Sequence, residues 1–306
     1  MTDPPPSKRP RIETKKLTST TTAQQDQGQE LDGWVYLDKA TLISQSPSLA
    51  GGMPLELEEK KRFIGCQYIN DLCQHLSIRH VPRCVAHGLF HRFYARQSFK
   101  THPEMDVATT CVFLSIKIEE VKEITLSKVL AAEKVVRKNT MERRTSSQGF
   151  SSTIKKKLDQ EKVLVLERVL LHSIAFEICI TTPFNYLRKL KQHVAKNEPE
   201  KWKKLYQLAY QFIIDSHGTT LVLQFPPHVL ACAAIYLGSK FAKLDLQDLT
   251  YGKKLTRDKH WWQDLPGGES KKINRDDLLD CCHQMLAVFE KESCTCTADG
   301  TSCKCY

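Results

Sequence analysis

Two runs of this chain, residues 107–118 and 229–238, are apolar on nearly every side, and no stretch alternates with the period of two that a half-buried strand needs. A helix without a polar stripe has to lie at the centre of a bundle, covered by its neighbours. Small residues in these runs (Ala108, Ala231, Ala233, Ala234, Gly238) let those neighbours come close. The runs also repeat each other. Cys111-Val112-Phe113-Leu114-Ser115-Ile116-Lys117 lines up with Ala234-Ile235-Tyr236-Leu237-Gly238-Ser239-Lys240 at an offset of 123 residues, which sets Pro103 on Pro226 at the head of each helix. Near the ends of the two halves Phe176-Glu177 matches Phe289-Glu290, and that match puts Glu167 on Asp280. The pattern predicts an all-α chain of two tandem five-helix bundles.

Helical spacing is read at roughly 56–77, 82–97, 104–120, 125–137 and 154–175, and again at 183–195, 200–216, 227–242, near 245–250 and at 274–291. The polar stretches Asn139 to Thr153 and Lys253 to Lys272 read as loops. Four segments follow. Residues 1–30 are rich in Thr, Gln, Pro and Lys and are expected to be disordered. Residues 31–178 form the first bundle with an N-terminal extension, 179–291 the second, and 292–306 a Cys-rich tail. The two bundles are expected to have separate cores and to unfold in two steps.

Composition narrows the function. With 41% apolar and 26% charged residues the chain falls in the soluble globular class. The run Val229 to Gly238 is about half of what a bilayer crossing needs, and the Pro-, Ser- and Lys/Arg-rich start is unlike a signal peptide. No membrane is expected, and the protein is expected on the cytosolic and nuclear side. Eight cysteines (Cys66, Cys73, Cys84, Cys111, Cys179, Cys232, Cys281, Cys282) sit in apolar helical segments and act as small hydrophobes, as in a reducing compartment. The other four, Cys294, Cys296, Cys303 and Cys305, lie in the last thirteen residues with turn residues between them. They read as a disordered tail or as ligands for one soft metal such as Zn or Cu(I).

The net charge of +10 is spread over several short clusters, a pattern of solvated faces, so direct nucleic-acid binding is not expected. There is no Gly-rich phosphate loop, no His-Glu-x-x-His and no Gly-x-Ser-x-Gly. His87 and His91 share a helix face with nothing to complete a metal site and are expected at the surface or hydrogen-bonded inside. No cofactor is expected.

Two charges interrupt the apolar pattern of the first half. Lys117 breaks the run Cys111 to Ile118 and shares a face with Phe113, and Glu167 sits on the stripe Val163, Leu170, Leu171, Ile174. An unpaired charge among apolar side chains is costly. Either Lys117 snorkels to water with Glu167 at the edge of its stripe, or both border an apolar surface kept for a partner.

At these residues the chain resembles the cyclin family. Arg92-Phe93-Tyr94, Phe113-Leu114-Ser115-Ile116-Lys117-Ile118-Glu119-Glu120, Leu166-Glu167-Arg168-Val169-Leu170-Leu171 and Phe176-Glu177 are similar to successive landmarks of a first cyclin box. Pro226-Pro227-His228-Val229-Leu230-Ala231-Cys232 is similar to part of a second box. Trp34 with Ser46-Pro47-Ser48, and His260-Trp261-Trp262, resemble the cyclin T and cyclin K branch in particular.

The resemblance implies a regulatory subunit of a protein kinase, with no chemistry of its own. Its partner would be a cyclin-dependent kinase of the elongation type, which phosphorylates the RNA polymerase II C-terminal domain, and its place would be the nucleus. In family members the matching Lys and Glu bond the kinase's mobile helix, which casts Lys117 and Glu167 in that role, bordered by Glu120, Phe113, Leu170 and Phe176. Transcription regulators could dock on the second box. The first helix lacks the Met-Arg-Ala-Ile-Leu patch through which cell-cycle cyclins recruit substrates, carrying Gln67-Tyr68-Ile69-Asn70-Asp71-Leu72 instead. Lys8-Arg9-Pro10-Arg11 with Lys15-Lys16 reads as a nuclear import segment. The rival reading is a cyclin-fold general transcription factor, similar to factor IIB, that binds promoter DNA.

Overall fold

The computed structural model describes residues 30–31, 34–148, 158–188, 199–244, 246 and 273–293. A minimal antiparallel pairing opens the chain, β1 (Glu30–Leu31) against β2 (Trp34–Val35), with Leu31 opposite Trp34. Helices account for nearly all the rest. Two short ones, α1 (Lys39–Ser44) and α2 (Pro47–Ala50), lead into the first bundle of α3 (Leu55–His75), α4 (His80–Arg96), α5 (Glu104–Ile118), α6 (Leu126–Gln148) and α7 (Gln160–Ser173). After a helical turn at 184–188 the second bundle comprises α8 (Pro199–His217), the short α9 (Leu221–Gln224), α10 (Pro227–Ala242) and α11 (Arg275–Ser293).

Local chemistry sets these boundaries. Asp38 accepts the Thr41 N–H at 2.6 Å to open α1, Ser46 caps α2 ahead of Pro47, and Asp159 accepts the Lys162 N–H at 2.8 Å to open α7. The helix ends are marked by left-handed residues that are not glycine: Ser77 after α3, Glu120 after α5, Ala175 and Phe176 after α7, and Lys243 after α10. There the 6→1 bonds Val121 N–H to Ile116 C=O and Phe176 N–H to Leu171 C=O satisfy carbonyls that the helix would leave bare.

As the sequence requires, α5 and α10 are the central helices. In α5, Val107, Ala108, Cys111, Val112, Leu114 and Ile116 are all buried, and the helix touches α3, α4, α6 and α7. In α10 burial is continuous from Val229 to Ile235, against α8, α9 and α11. Gly65 lets α3 approach α4, since a Cβ there would meet the Phe90 ring at 2.1 Å. The aromatic cluster of Phe90, Phe93, Tyr94 and Phe99 fills that corner, with Tyr94 stacked on Phe99 at 3.5 Å.

Three expectations change. The stretch from Asn139 is helical as far as Gln148, where a loop was expected. Its apolar signal is thin, but Met141 packs on the first core, Arg143 pairs with Asp71, and Lys138 lies 3.8 Å from Glu142. α7 starts at Gln160, later than the expected 154. The two cores are also not separate. Cys84 of α4 is buried in the second cluster and Val81 packs against it, while Phe90 and Phe93 of the same helix belong to the first. The expected helix near 245–250 falls outside the described residues except for buried Leu246. The His260-Trp261-Trp262 motif, the basic segment before residue 30 and the four tail cysteines lie outside them entirely.

His87 and His91 are inside the protein at this junction, 2% and 0% exposed. Arg62, always a donor, lies 3.4 Å from His91 Nδ1, so that nitrogen accepts and Nε2 carries the proton. Nε2 then donates to the His217 carbonyl of α8 at 3.1 Å, a hydrogen bond from one bundle to the other. Leu37 N–H to the Leu223 carbonyl at 3.2 Å ties the N-terminal extension to α9.

Candidate partner-binding surface

α5 and α7 lie against each other, and their exposed edge brings together the two charges singled out above. Lys117, in the last turn of α5, donates from Nζ to Glu167 Oε1 of α7 at 2.5 Å. The carboxylate side chain is 8% exposed and the lysine 51%, so the lysine covers the glutamate from the solvent side. Lys117 Nζ also sits 5.2 Å from the centre of the half-buried Phe113 ring. A half-exposed ion pair contributes little to stability, roughly 0–1 kcal/mol. Its chemistry suits recognition better. The ammonium has two further protons and the carboxylate has unused lone pairs, so a donor and an acceptor stand side by side on an apolar edge.

Apolar side chains frame the pair. Phe176 is 59% exposed beyond the end of α7, its ring edge-on to His172 at 5.3 Å. Leu164 and Leu171, three residues before and four after Glu167, share its helix face, Leu164 exposed and Leu171 half-buried. Glu119 and Glu120 lie exposed at the end of α5, where partial burial pushes the Glu119 carboxyl up from its usual range.

Leu170 does not belong to this surface. It is 1% exposed and part of the first core. The exposed edge takes Leu171 in its place, which the sequence had set on the Glu167 stripe but not at the contact, together with Leu164, which it had not singled out. The signal was present in the 164, 167, 171 spacing. The adjacent stripe of Val163, Leu170 and Ile174 masked it, because that stripe is the one facing inward.

Two landmarks far apart in sequence meet beside Phe176. Arg92 Nη1 donates to the Glu177 carbonyl at 3.0 Å, and Arg96 Nη1 to the Ser173 carbonyl at 3.1 Å. Both guanidinium groups lie 5.1 Å from the ring of Trp34, which is 4% exposed. The N-terminal extension thereby braces the two arginines that hold the turn carrying Phe176. The left-handed conformations at Glu120 and at Ala175–Phe176 put backbone strain just past the C-terminal ends of both helices that carry the pair. Among the described residues, no three His, Cys, Asp or Glu side chains converge as a metal would require. No helix of the described residues is long and apolar enough to cross a membrane.

Residues 35–179 match the family described as Cyclin, N-terminal domain. The chain belongs to the cyclin family. Its relatives there include human Cyclin-K, 31% identical over 256 residues, which cover 84% of this chain and 41% of that protein. Cyclin-T1-5 of Arabidopsis thaliana is 30% identical over 269 residues, covering 86% of this chain and 42% of that protein. Human Cyclin-T1 is 26% identical over 81% of this chain. The chain thus spans less than half the length of these relatives. The fold is shared with a chain of the yeast TFIIK (Kin28/Ccl1/Tfb3) complex, at a TM-score of 0.57 and 16% identity over 83% of this chain and 95% of that one.

Proposed function

We propose that this chain is the regulatory cyclin subunit of a cyclin-dependent kinase of the elongation type, whose substrate is the RNA polymerase II C-terminal domain. The observation that carries the proposal is the Lys117–Glu167 pair, set on an apolar edge of α5 and α7, with Phe176 exposed beyond the end of α7. An incoming helix of the kinase would lie along this edge. Lys117 would donate to its backbone carbonyls, Glu167 would accept its N–H groups, and Phe113, Leu164, Leu171 and Phe176 would cover its apolar side. The cyclin contributes no catalytic group and acts by holding the kinase helix in its active position. Similarity to cyclins K and T supports the choice of kinase class.

In this reading residues 31–178 form the kinase-gripping box with its N-terminal brace, and 179–291 the second box. The segment with Lys8-Arg9-Pro10-Arg11 and Lys15-Lys16 directs nuclear import. The test is affinity purification of the full chain from its native cell, identification of the co-purifying kinase, and assay of that kinase on a polymerase-tail repeat peptide with and without the chain. Stimulation by the chain, lost with Lys117→Ala, is expected. Failure to capture a kinase, together with a sequence-specific gel shift on promoter DNA, would establish the rival reading instead.

A further inference from the structure

The partner edge is only as well defined as the spacing of α5 and α7, and α7 is lightly anchored. Of its fourteen residues, only Val163, Glu167 and Leu170 are buried. Beneath its first turn lies a charge cluster that the partner reading does not use. Asp106, in the first turn of α5, is 3% exposed. Its Oδ1 accepts from Arg137 Nη2 of α6 at 2.7 Å, and its Oδ2 accepts from Lys162 Nζ of α7. Arg137 is steered in turn by Glu133, 2% exposed, which accepts from its Nε, and by the Tyr68 ring 6.0 Å away. One buried carboxylate therefore ties three helices together.

We propose that Asp106 is a positioning residue for partner binding: through Lys162 it fixes α7 against α5 and so sets where Glu167 meets Lys117. The inference rests on the partner reading above. Lys162 and Glu167 are five residues apart on one helix, about 7.5 Å along its axis, so a displacement at the first is carried rigidly to the second. A buried charge network of this kind adds little net stability over an apolar packing, but it selects one arrangement of the elements it joins.

The test uses the full chain. Lys162→Met keeps the length of a side chain that is one-third exposed and removes its charge. Hydrogen exchange in residues 160–173 should quicken while α4 keeps its protection. Affinity for the kinase that co-purifies with the wild type should fall about three- to tenfold, the range of an indirect coupling, with only a small fall in melting temperature because Arg137 still pairs with Asp106. Lys162→Arg should restore both. Asp106→Asn should lose at least as much affinity, and the double variant no more than Asp106→Asn alone; if Asp106→Asn does not fold, Lys162→Met decides.

The inference is overturned if Lys162→Met leaves exchange and affinity at wild-type values while Lys117→Ala weakens binding, a result that keeps the partner reading intact. A wild-type chain that captures no cyclin-dependent kinase overturns both.

Discussion

The two bundles are built on the same central helix yet treat charge differently. Lys117 lies over Phe113 at 5.2 Å, and its repeat counterpart Lys240 lies over Tyr236 at the same 5.2 Å. The duplication is thus visible down to a side-chain contact. The next partner differs. Glu167 closes on Lys117, whereas Asp280, its counterpart, is exposed and accepts from Gln284 at 3.0 Å. Beneath the surface the contrast widens. The first bundle buries Glu58, Arg62, Arg92, Glu104, Asp106, Glu133 and Glu167, while the described residues of the second bury no Asp, Glu, Lys or Arg. Glu58 is typical, bonded to Arg62 at 2.7 Å and accepting from Ser46 Oγ at 2.5 Å. Buried pairs cost desolvation and gain orientation. In the proposed function, the half that keeps them is the one whose helix edges would meet the kinase in register.

The severest challenge to this comparison is a charge in the plain apolar half. Ala233, 0% exposed in α10, is packed in the apolar second core, and Ala233→Asp should cost a large part of the roughly 5–15 kcal/mol that holds a domain together. Because α4 serves both cores, circular dichroism should show one collapsed transition, with both bundles lost. An intact first bundle with its own melting step would show that the halves are independent.

Acid should act next most strongly, through the junction. Burial holds the imidazoles neutral: His87 is pushed down to about 3, His217 to about 4, and His91 well below its ordinary value, with Arg62 adding to the effect on His91. In the unfolded chain they titrate near 6.5, so below that pH the unfolded state binds more protons and stability falls as pH falls. With three groups the loss approaches about 6 kcal/mol between pH 7 and pH 5, and it levels off only below the folded values. Urea midpoints that stay constant over that range would mean that the junction opens to water.

A sharper contrast comes from the paired lysines. Lys117→Ala should weaken kinase binding by roughly 2–5 kcal/mol while changing the melting temperature little, and Lys240→Ala should change neither. Equal effects in a pull-down would erase the distinction between the bundles. The smallest change concerns strain. Ala175 sits at φ 54°, and Ala175→Gly should stabilise the fold by about 0.5–1 kcal/mol in thermal melts. It should leave binding intact, since the turn is held by Arg92 and Arg96.

Much of this was legible in sequence, for reasons that can be named. The central helices announce themselves because an all-round apolar run has only one place to go. Lys117 and Glu167 stand out because a charge in such a run needs an explanation. Three features needed three dimensions. α6 runs on past Lys138 on ion pairs and one methionine, which leave no periodic trace. The choice between Leu170 and Leu171 depends on how α7 crosses α5, which spacing alone leaves open. Asp106 looks like an ordinary acid in a first helical turn until cations from two other helices arrive beside it.

The sharing of α4 bears on how signals cross the molecule. Its seventeen residues form a rod of about 25 Å, with Val81 and Cys84 near one end gripped by the second bundle and Phe90 to Tyr94 gripped by the first. Among the described residues, a twist applied to either half is resisted by this shared beam. The Arg92 and Arg96 grips on the Phe176 turn are mounted on that beam as well. A load placed on the far half therefore has a direct path through α4 to the turn that carries Phe176.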